Sequence, residues 1–123
     1  MRFITDRKRA VGLGAAKTGT MEHWTTTISS VALIGLMPVF VLIVGSSLGS
    51  SHEDVVATFS RPFPALVVIL TFWVGFGHFR RGVQIMIEDY ASGVTRKALL
   101  ILMISISYTA MAAGLYAVVR LAL

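Results

Sequence analysis

Three long apolar runs, separated by short polar stretches, organise this chain of 123 residues. The runs cover about residues 24–44, 63–87 and 98–119. A helix needs about 20 consecutive, mostly apolar residues to cross the hydrocarbon core of a bilayer, so each run is long enough to span one. The pattern therefore predicts an all-α integral membrane protein with three transmembrane helices.

The connections between the predicted spans are short and polar. Residues 45–51 are glycine- and serine-rich and predict a flexible loop. His52 follows beside two carboxylates, and we interpret it as a solvated loop histidine. Ser60 is the expected N-cap of the second span, and Gly93 is the expected cap at that span's end.

The composition supports a membrane protein and excludes several functional classes. The chain is 55% hydrophobic and only 14% charged, with a mean hydropathy of +0.78. It contains no cysteine, which excludes disulfides, iron–sulfur clusters and thiolate chemistry on this chain. The net charge of +5 comes from basic residues beside the spans, so we expect membrane lipid and no nucleic acid as the charged partner.

The distribution of lysine and arginine predicts the orientation. Residues 1–22 carry five basic residues, the first loop only Arg61, and the second loop Arg96 and Lys97. The positive-inside rule then places the N-terminus and the second loop in the cytoplasm and the C-terminus in the periplasm. We expect a basic cytoplasmic N-terminal segment over 1–22, with no cleaved secretory signal, and a three-helix membrane domain over 23–123.

The first span begins with a small and polar stretch. Its hydroxyl groups favour close packing or hydrogen bonding against another helix in lipid. The hydroxyl-bearing residues are Thr25, Thr26, Thr27, Ser29 and Ser30.

The second span carries a histidine, His78, well inside the apolar run. An ionisable residue in a span costs a few kcal/mol on insertion scales, so it is a candidate for function. Gly75 and Gly82 lie about one turn to either side and leave space on that face. His78 is either the ligand of a haem iron or a polar group that hydrogen-bonds a neighbouring helix.

The same span contains further charged and polar candidates. Arg80 and Arg81 can snorkel to lipid phosphates, or Arg81 can neutralise a haem propionate. Glu88 and Asp89 end the span, although the helix dipole prefers cations there. Tyr90 is either an interfacial aromatic anchor or, beside a carboxylate, a proton donor suited to a quinone carbonyl.

These residues carry a resemblance to a known family. A histidine at 78, a glycine at 82 and Asp89-Tyr90, in the second of three spans, resemble the small hydrophobic membrane anchor of bacterial succinate dehydrogenase, which is respiratory complex II. The stretch from Gly19-Thr20 through Leu33 is similar to the alphaproteobacterial form. Thr27 stands where family members often carry arginine, and Arg81 or Lys17 could substitute.

The resemblance implies a complex of four different proteins in the bacterial inner membrane. This chain would be a non-catalytic anchor beside a flavoprotein, an iron–sulfur protein and a second anchor, cytochrome b, and it would not oxidise succinate alone. His78 would be one axial ligand of haem b, shared with cytochrome b. Tyr90 would hydrogen-bond ubiquinone with support from Asp89, and Arg81 would contact a haem propionate.

Two alternatives share the same architecture. A fumarate reductase anchor would take electrons from menaquinol, and the identity of the bound quinone separates it from the first interpretation. A non-redox three-span structural or pore protein would hold no cofactor and would not depend on soluble partners.

Overall fold

A computed structural model describes residues 5–10 and 19–123, and within these ranges the ordered elements are all α-helices. Three of the helices are long and apolar enough to cross a membrane, and each contains one predicted span. The three-span prediction is therefore confirmed. The helices are α1 (Asp6–Ala10), α2 (Gly19–Ser47), α3 (His52–Phe59), α4 (Pro62–Tyr90) and α5 (Gly93–Ala122).

Helix α4 is the central element, because it packs against both α2 and α5. The two-residue connection after α4 makes α4 and α5 antiparallel, while α2 and α4 are joined by the longer segment 48–61, which contains α3. Phe72 lies at the middle of this packing, with its ring centroid 6.0 Å from those of Phe40 on α2 and Phe76. On α5, Gly114 gives the same ring room, because a methyl group at that position would lie 2.5 Å from it.

The short helix α3 occupies a stretch for which the sequence predicted a loop around His52, and that prediction is wrong. Ser51 caps the helix, since its hydroxyl accepts a hydrogen bond from the Asp54 backbone N–H at 3.2 Å and donates to the Asp54 carboxylate at 2.7 Å. At its far end Phe59 is buried in a cluster with Val68 and Val118. Helix α3 thus closes one end of the bundle, and His52 itself is exposed.

The helix boundaries near α4 also differ from the predictions. Arg61 is the N-cap of α4, with Pro62 in the first position, while Ser60 closes α3 by donating its backbone N–H to Val56. Helix α4 ends at Tyr90, and Gly93 opens α5 with φ +59°, a conformation that favours glycine. A two-residue connection therefore places the end of α4 directly beside the start of α5.

Few side chains are buried, and apolar side chains cover most of the outer surface of the spans. In lipid this exposure is not unfavourable, because apolar side chains pack against acyl chains as well as against each other. Among the residues that the structure describes, the buried polar side chains are small hydroxyl groups, Ser29, Thr71 and Ser107. Their position and polarity make these three the candidates for specific contacts inside the bundle.

Candidate functional site

The imidazole of His78 is tied to the first span by a hydrogen bond to Ser29. The distance from His78 Nδ1 to Ser29 Oγ is 2.9 Å, and the two residues are 49 positions apart in the chain. Ser29 is 7% exposed, whereas His78 is half-buried. The same serine hydroxyl donates to the backbone carbonyl of Thr26 at 2.8 Å. The sequence-based alternative of a helix-to-helix hydrogen bond at His78 is thus observed.

This hydrogen bond is compatible with metal ligation by His78. The contact with Ser29 uses Nδ1, so the other ring nitrogen, Nε2, keeps its ability to bind an iron. Among the described residues no group of three or more histidine, cysteine, aspartate or glutamate side chains is assembled. A haem does not need such a cluster, because the chain has only to supply one axial nitrogen to the iron.

Space for a flat group exists beside His78 on the side of Gly82. A methyl group built at Gly82 would have no neighbour within 4 Å, apart from its own helix backbone, while one built at Gly75 would touch Leu33 at 3.9 Å. Gly82 therefore leaves an open surface one turn after the histidine, whereas Gly75 serves the packing of α2 on α4. The donor and the open surface together fit a haem.

The two arginines of the span point towards different partners from the histidine. The guanidinium of Arg80 lies over the ring of Tyr108, 5.5 Å from its centroid. Arg81 donates from Nη1 to the carbonyl of Gly77 at 3.4 Å. Both line a mainly apolar cavity of about 360 Å³ between α2, α4 and α5, where the buried Ser107 hydroxyl has no partner among the described residues. Two cations thus sit at a half-open cavity between the helices that His78 does not line.

Glu88 has partners that explain a carboxylate at the end of α4. It accepts a hydrogen bond from Gln84 at 3.1 Å and pairs with Arg96 of α5 at 3.8 Å. Arg96 lies in the first turn of α5, where the helix dipole disfavours a cation, just as the end of α4 disfavours the Glu88 carboxylate. The attraction between the two charges offsets both unfavourable interactions with the helix dipoles. The pair is partly exposed and contributes at most about 1 kcal/mol.

Asp89 and Tyr90 lie apart from His78. Twelve residues of helix separate Tyr90 from the histidine, which is roughly 18 Å along the axis. Tyr90 is 89% exposed and borders an open groove of about 550 Å³ at the α4–α5 connection. Asp89 is exposed and does not line this groove. The predicted haem and quinone residues therefore form two separate places on one helix.

Thr27 makes only a local contact. Its hydroxyl donates to the carbonyl of His23 at 3.0 Å, within α2. The substitute considered on the sequence, Lys17, lies outside the described residues. Ser29 is the hydroxyl-bearing residue of this stretch that hydrogen-bonds His78, and no signal in the sequence distinguishes it from its neighbours.

Comparison with known proteins gives a consistent result. The model of the family described as succinate dehydrogenase/fumarate reductase transmembrane subunit matches residues 1–113. A protein of Paracoccus denitrificans, the succinate dehydrogenase hydrophobic membrane anchor subunit, is 47% identical over 123 residues, which is all of this chain and 95% of the relative. No solved structure gives a significant match.

Proposed function

We propose, from the premise that this chain belongs to the succinate dehydrogenase/fumarate reductase transmembrane subunit family, that it helps to hold haem b and ubiquinone in a succinate dehydrogenase. That the chain is a membrane anchor of this enzyme class follows from the family and from its three spans. The cofactor, the quinone and the path of electrons are what we propose. The 47% identical relative is named a succinate dehydrogenase subunit, which favours that enzyme over fumarate reductase.

His78 would be the axial ligand that this chain supplies to haem b, and the cytochrome b partner would supply the other. The observation that carries this proposal is the hydrogen bond between Ser29 Oγ and His78 Nδ1, which holds the ring through Nδ1 and leaves Nε2 for the iron. When bound, the haem supplies one-electron storage between the iron–sulfur protein and the quinone. The role of this chain would be to orient the imidazole and to surround it with apolar side chains.

Arg81 would balance the negative charge of a haem propionate. Its long 3.4 Å contact with the Gly77 carbonyl is weak, so the side chain can exchange that partner for an anion. Among the described residues the ion pair found is Glu88–Arg96, which leaves Arg81 without a carboxylate there.

Tyr90 would donate a hydrogen bond to a ubiquinone carbonyl, and Asp89 would supply protons from the membrane surface. The groove beside Tyr90 has apolar walls from Met86 and Leu99, which suit a quinone ring, and hydroxyl groups from Ser92 and Thr95. Exposure of Asp89 keeps its carboxylate in exchange with bulk water. The phenol and the carboxylate would thus divide positioning and proton supply between them.

The assembly would contain a flavoprotein, an iron–sulfur protein and cytochrome b in the bacterial inner membrane. Residues 1–22 and the α4–α5 connection would face the cytoplasm, and the C-terminus would face the periplasm. Tyr90 would then lie on the side from which a soluble iron–sulfur protein can approach. A shared haem would also favour the assembled state, because the bound cofactor stabilises only the complex.

Replacing His78 by leucine tests this function. The complex is purified through a tag on this chain, and its dithionite-reduced minus oxidised spectrum is recorded together with the proteins that co-purify. We expect the b-type haem band to be lost in His78→Leu, because the axial nitrogen is removed, while a co-purifying flavoprotein and iron–sulfur protein identify the enzyme.

The chain offers matched controls in its other two histidines, His23 and His52, which are both exposed. His23→Leu and His52→Leu should keep the haem band. A haem band that survives His78→Leu would show that this residue is a structural contact only. A colourless wild-type preparation without partner proteins would instead support the non-redox alternative.

A further inference from the structure

We propose that Ser29 is a positioning residue for His78, which holds the imidazole in its Nδ1–H tautomer and thereby presents the lone pair of Nε2 to the iron. This inference rests on the proposed haem ligation by His78. It adds a residue of a different helix, 49 positions away, to the environment of the ligand. The first span would thus influence the midpoint potential of a haem to which it supplies no ligand.

The serine hydroxyl carries a single hydrogen, and two neighbouring atoms compete for it. Ser29 Oγ lies 2.8 Å from the Thr26 carbonyl oxygen and 2.9 Å from His78 Nδ1. A carbonyl oxygen can only accept, so the hydroxyl hydrogen must point to Thr26 if that contact is a hydrogen bond. The serine oxygen then offers only lone pairs to the imidazole, and Nδ1 must carry the proton.

The other tautomer is less favourable in this geometry. If Nδ1 were unprotonated, the hydroxyl would turn towards His78, and two oxygen atoms 2.8 Å apart would face each other without a hydrogen. Ser29 is 7% exposed, and its hydroxyl has no hydrogen-bond partner among the described residues besides Thr26 and His78, so no other side chain replaces the lost bond. The arrangement therefore makes two hydrogen bonds with one tautomer and one with the other.

Histidine ligands in proteins commonly donate their second ring N–H to such an acceptor. The donation fixes the ring orientation and raises the basicity of the ligating nitrogen, and mutation of such a partner typically costs about 10- to 100-fold in metal affinity or activity. A more basic imidazole stabilises ferric over ferrous haem. Loss of the Ser29 bond should therefore raise the midpoint potential of the haem, and a tenfold change in relative affinity corresponds to about 59 mV for one electron.

The test compares Ser29→Ala with Ser30→Ala in the intact purified complex. Ser30 donates to the same Thr26 carbonyl at 2.9 Å and makes no hydrogen bond to His78, so it controls for loss of a serine hydroxyl in this turn. Redox titration of the haem band gives the potential, and electron paramagnetic resonance of the ferric haem reports the orientation of its axial imidazole. Ser29→Thr keeps a hydroxyl and serves as the conservative rescue.

We expect Ser29→Ala to shift the potential upward by tens of millivolts, about the 59 mV of a tenfold change, and to alter the resonance spectrum, while Ser30→Ala and Ser29→Thr stay close to wild type. If Ser29→Ala prevents assembly, Ser29→Cys replaces it, because a thiol is a weak acceptor of similar size and should give a smaller shift in the same direction.

Two failures can be told apart. Unchanged potential and resonance spectrum in Ser29→Ala, or in Ser29→Cys where it replaces the alanine variant, would overturn the role of Ser29 alone, provided that the haem depends on His78. A haem that persists in His78→Leu, or is missing from the wild type, would overturn the proposed ligation and this inference together.

Discussion

At the residue scale, the three buried hydroxyl groups of the described spans differ in their hydrogen bonds. Thr71 returns its hydroxyl hydrogen to the carbonyl of Val67 on its own helix, at 2.7 Å. Ser29 uses its oxygen both within α2 and across to His78. Ser107 lines the cavity beside Arg80 and Arg81, and its hydroxyl has no partner among the described residues. Of these three hydroxyl groups, Ser29 makes a hydrogen bond to a second helix, and its partner there is His78.

Tyr90→Phe tests the quinone role at the same scale. Removing the phenol hydroxyl would delete the proposed hydrogen bond to the quinone carbonyl and a proton donor beside Asp89, while His78, the proposed haem ligand roughly 18 Å away, is untouched. We expect kcat/KM for ubiquinone reduction to fall at least about tenfold. Steady-state quinone reduction by succinate, measured alongside the haem spectrum, checks this.

The control for Tyr90 is Tyr116→Phe, an exposed tyrosine of α5 that lies outside the Tyr90 groove. It should leave both quinone reduction and haem content unchanged. Normal quinone turnover in Tyr90→Phe with haem lost would contradict the division of roles, since it would assign the tyrosine to cofactor retention.

At the element scale, the contact between α4 and α5 depends on close approach at Gly114. A methyl group there would lie 2.5 Å from two carbon atoms of the Phe72 ring, which itself packs against Phe40. Helices in lipid gain their stability from such close van der Waals contacts, because no hydrophobic effect drives them together. Gly114 is thus a packing position whose small size is required by a named neighbour.

Gly114→Ala should destabilise the bundle. The ring of Phe72 would have to move, and overpacking of this kind typically costs about 1 to 3 kcal/mol. The measurement is the thermal midpoint of the detergent-solubilised complex, followed by loss of quinone reduction. We expect a lower midpoint for Gly114→Ala than for the wild type.

Gly35→Ala provides the matched control on α2, where a methyl group has no neighbour within 4 Å. It should be neutral or slightly stabilising, because alanine is a better helix former than glycine. Adding Phe72→Leu to Gly114→Ala should recover part of the loss. Equal thermal midpoints for Gly114→Ala and Gly35→Ala would show that the contact between α4 and α5 accepts the extra methyl group without loss of stability.

At the scale of the whole molecule, the charge asymmetry predicts the direction in which the chain crosses the membrane. Ser50 in the α2–α3 connection and Ser92 in the α4–α5 connection are both exposed. Because the chain has no cysteine of its own, single cysteines can be placed at either position. Ser50→Cys should react with a membrane-impermeant maleimide from the periplasmic side, and Ser92→Cys only from the cytoplasmic side.

Labelling of this chain is resolved on a gel after treatment of right-side-out and inside-out vesicles. Detergent-solubilised membranes give the total labelling of each cysteine and correct for cover by partner proteins. The reverse pattern, with Ser92→Cys labelled from the periplasm, would overturn the proposed orientation and with it the cytoplasmic position of Tyr90.

The sequence by itself determined the class of the fold and the candidate residues along α4. A helix in lipid satisfies its backbone hydrogen bonds within itself, so about 20 apolar residues are enough to predict a span whatever surrounds it. Spacing along one helix is equally local, and it placed His78, Gly82 and Tyr90 in their correct order and separation. These features need no knowledge of any other part of the chain.

The tertiary structure decided which residues meet across helices. A span that is apolar on every side carries no stripe that would reveal its rotation against a neighbour. The pairing of Ser29 with His78 and of Glu88 with Arg96, and the fit of Phe72 against Gly114, therefore became visible only with the helices in place. The physical reason is that hydrophobicity determines whether a helix enters the membrane, whereas side-chain shape and hydrogen bonding determine which face of the helix contacts its neighbours.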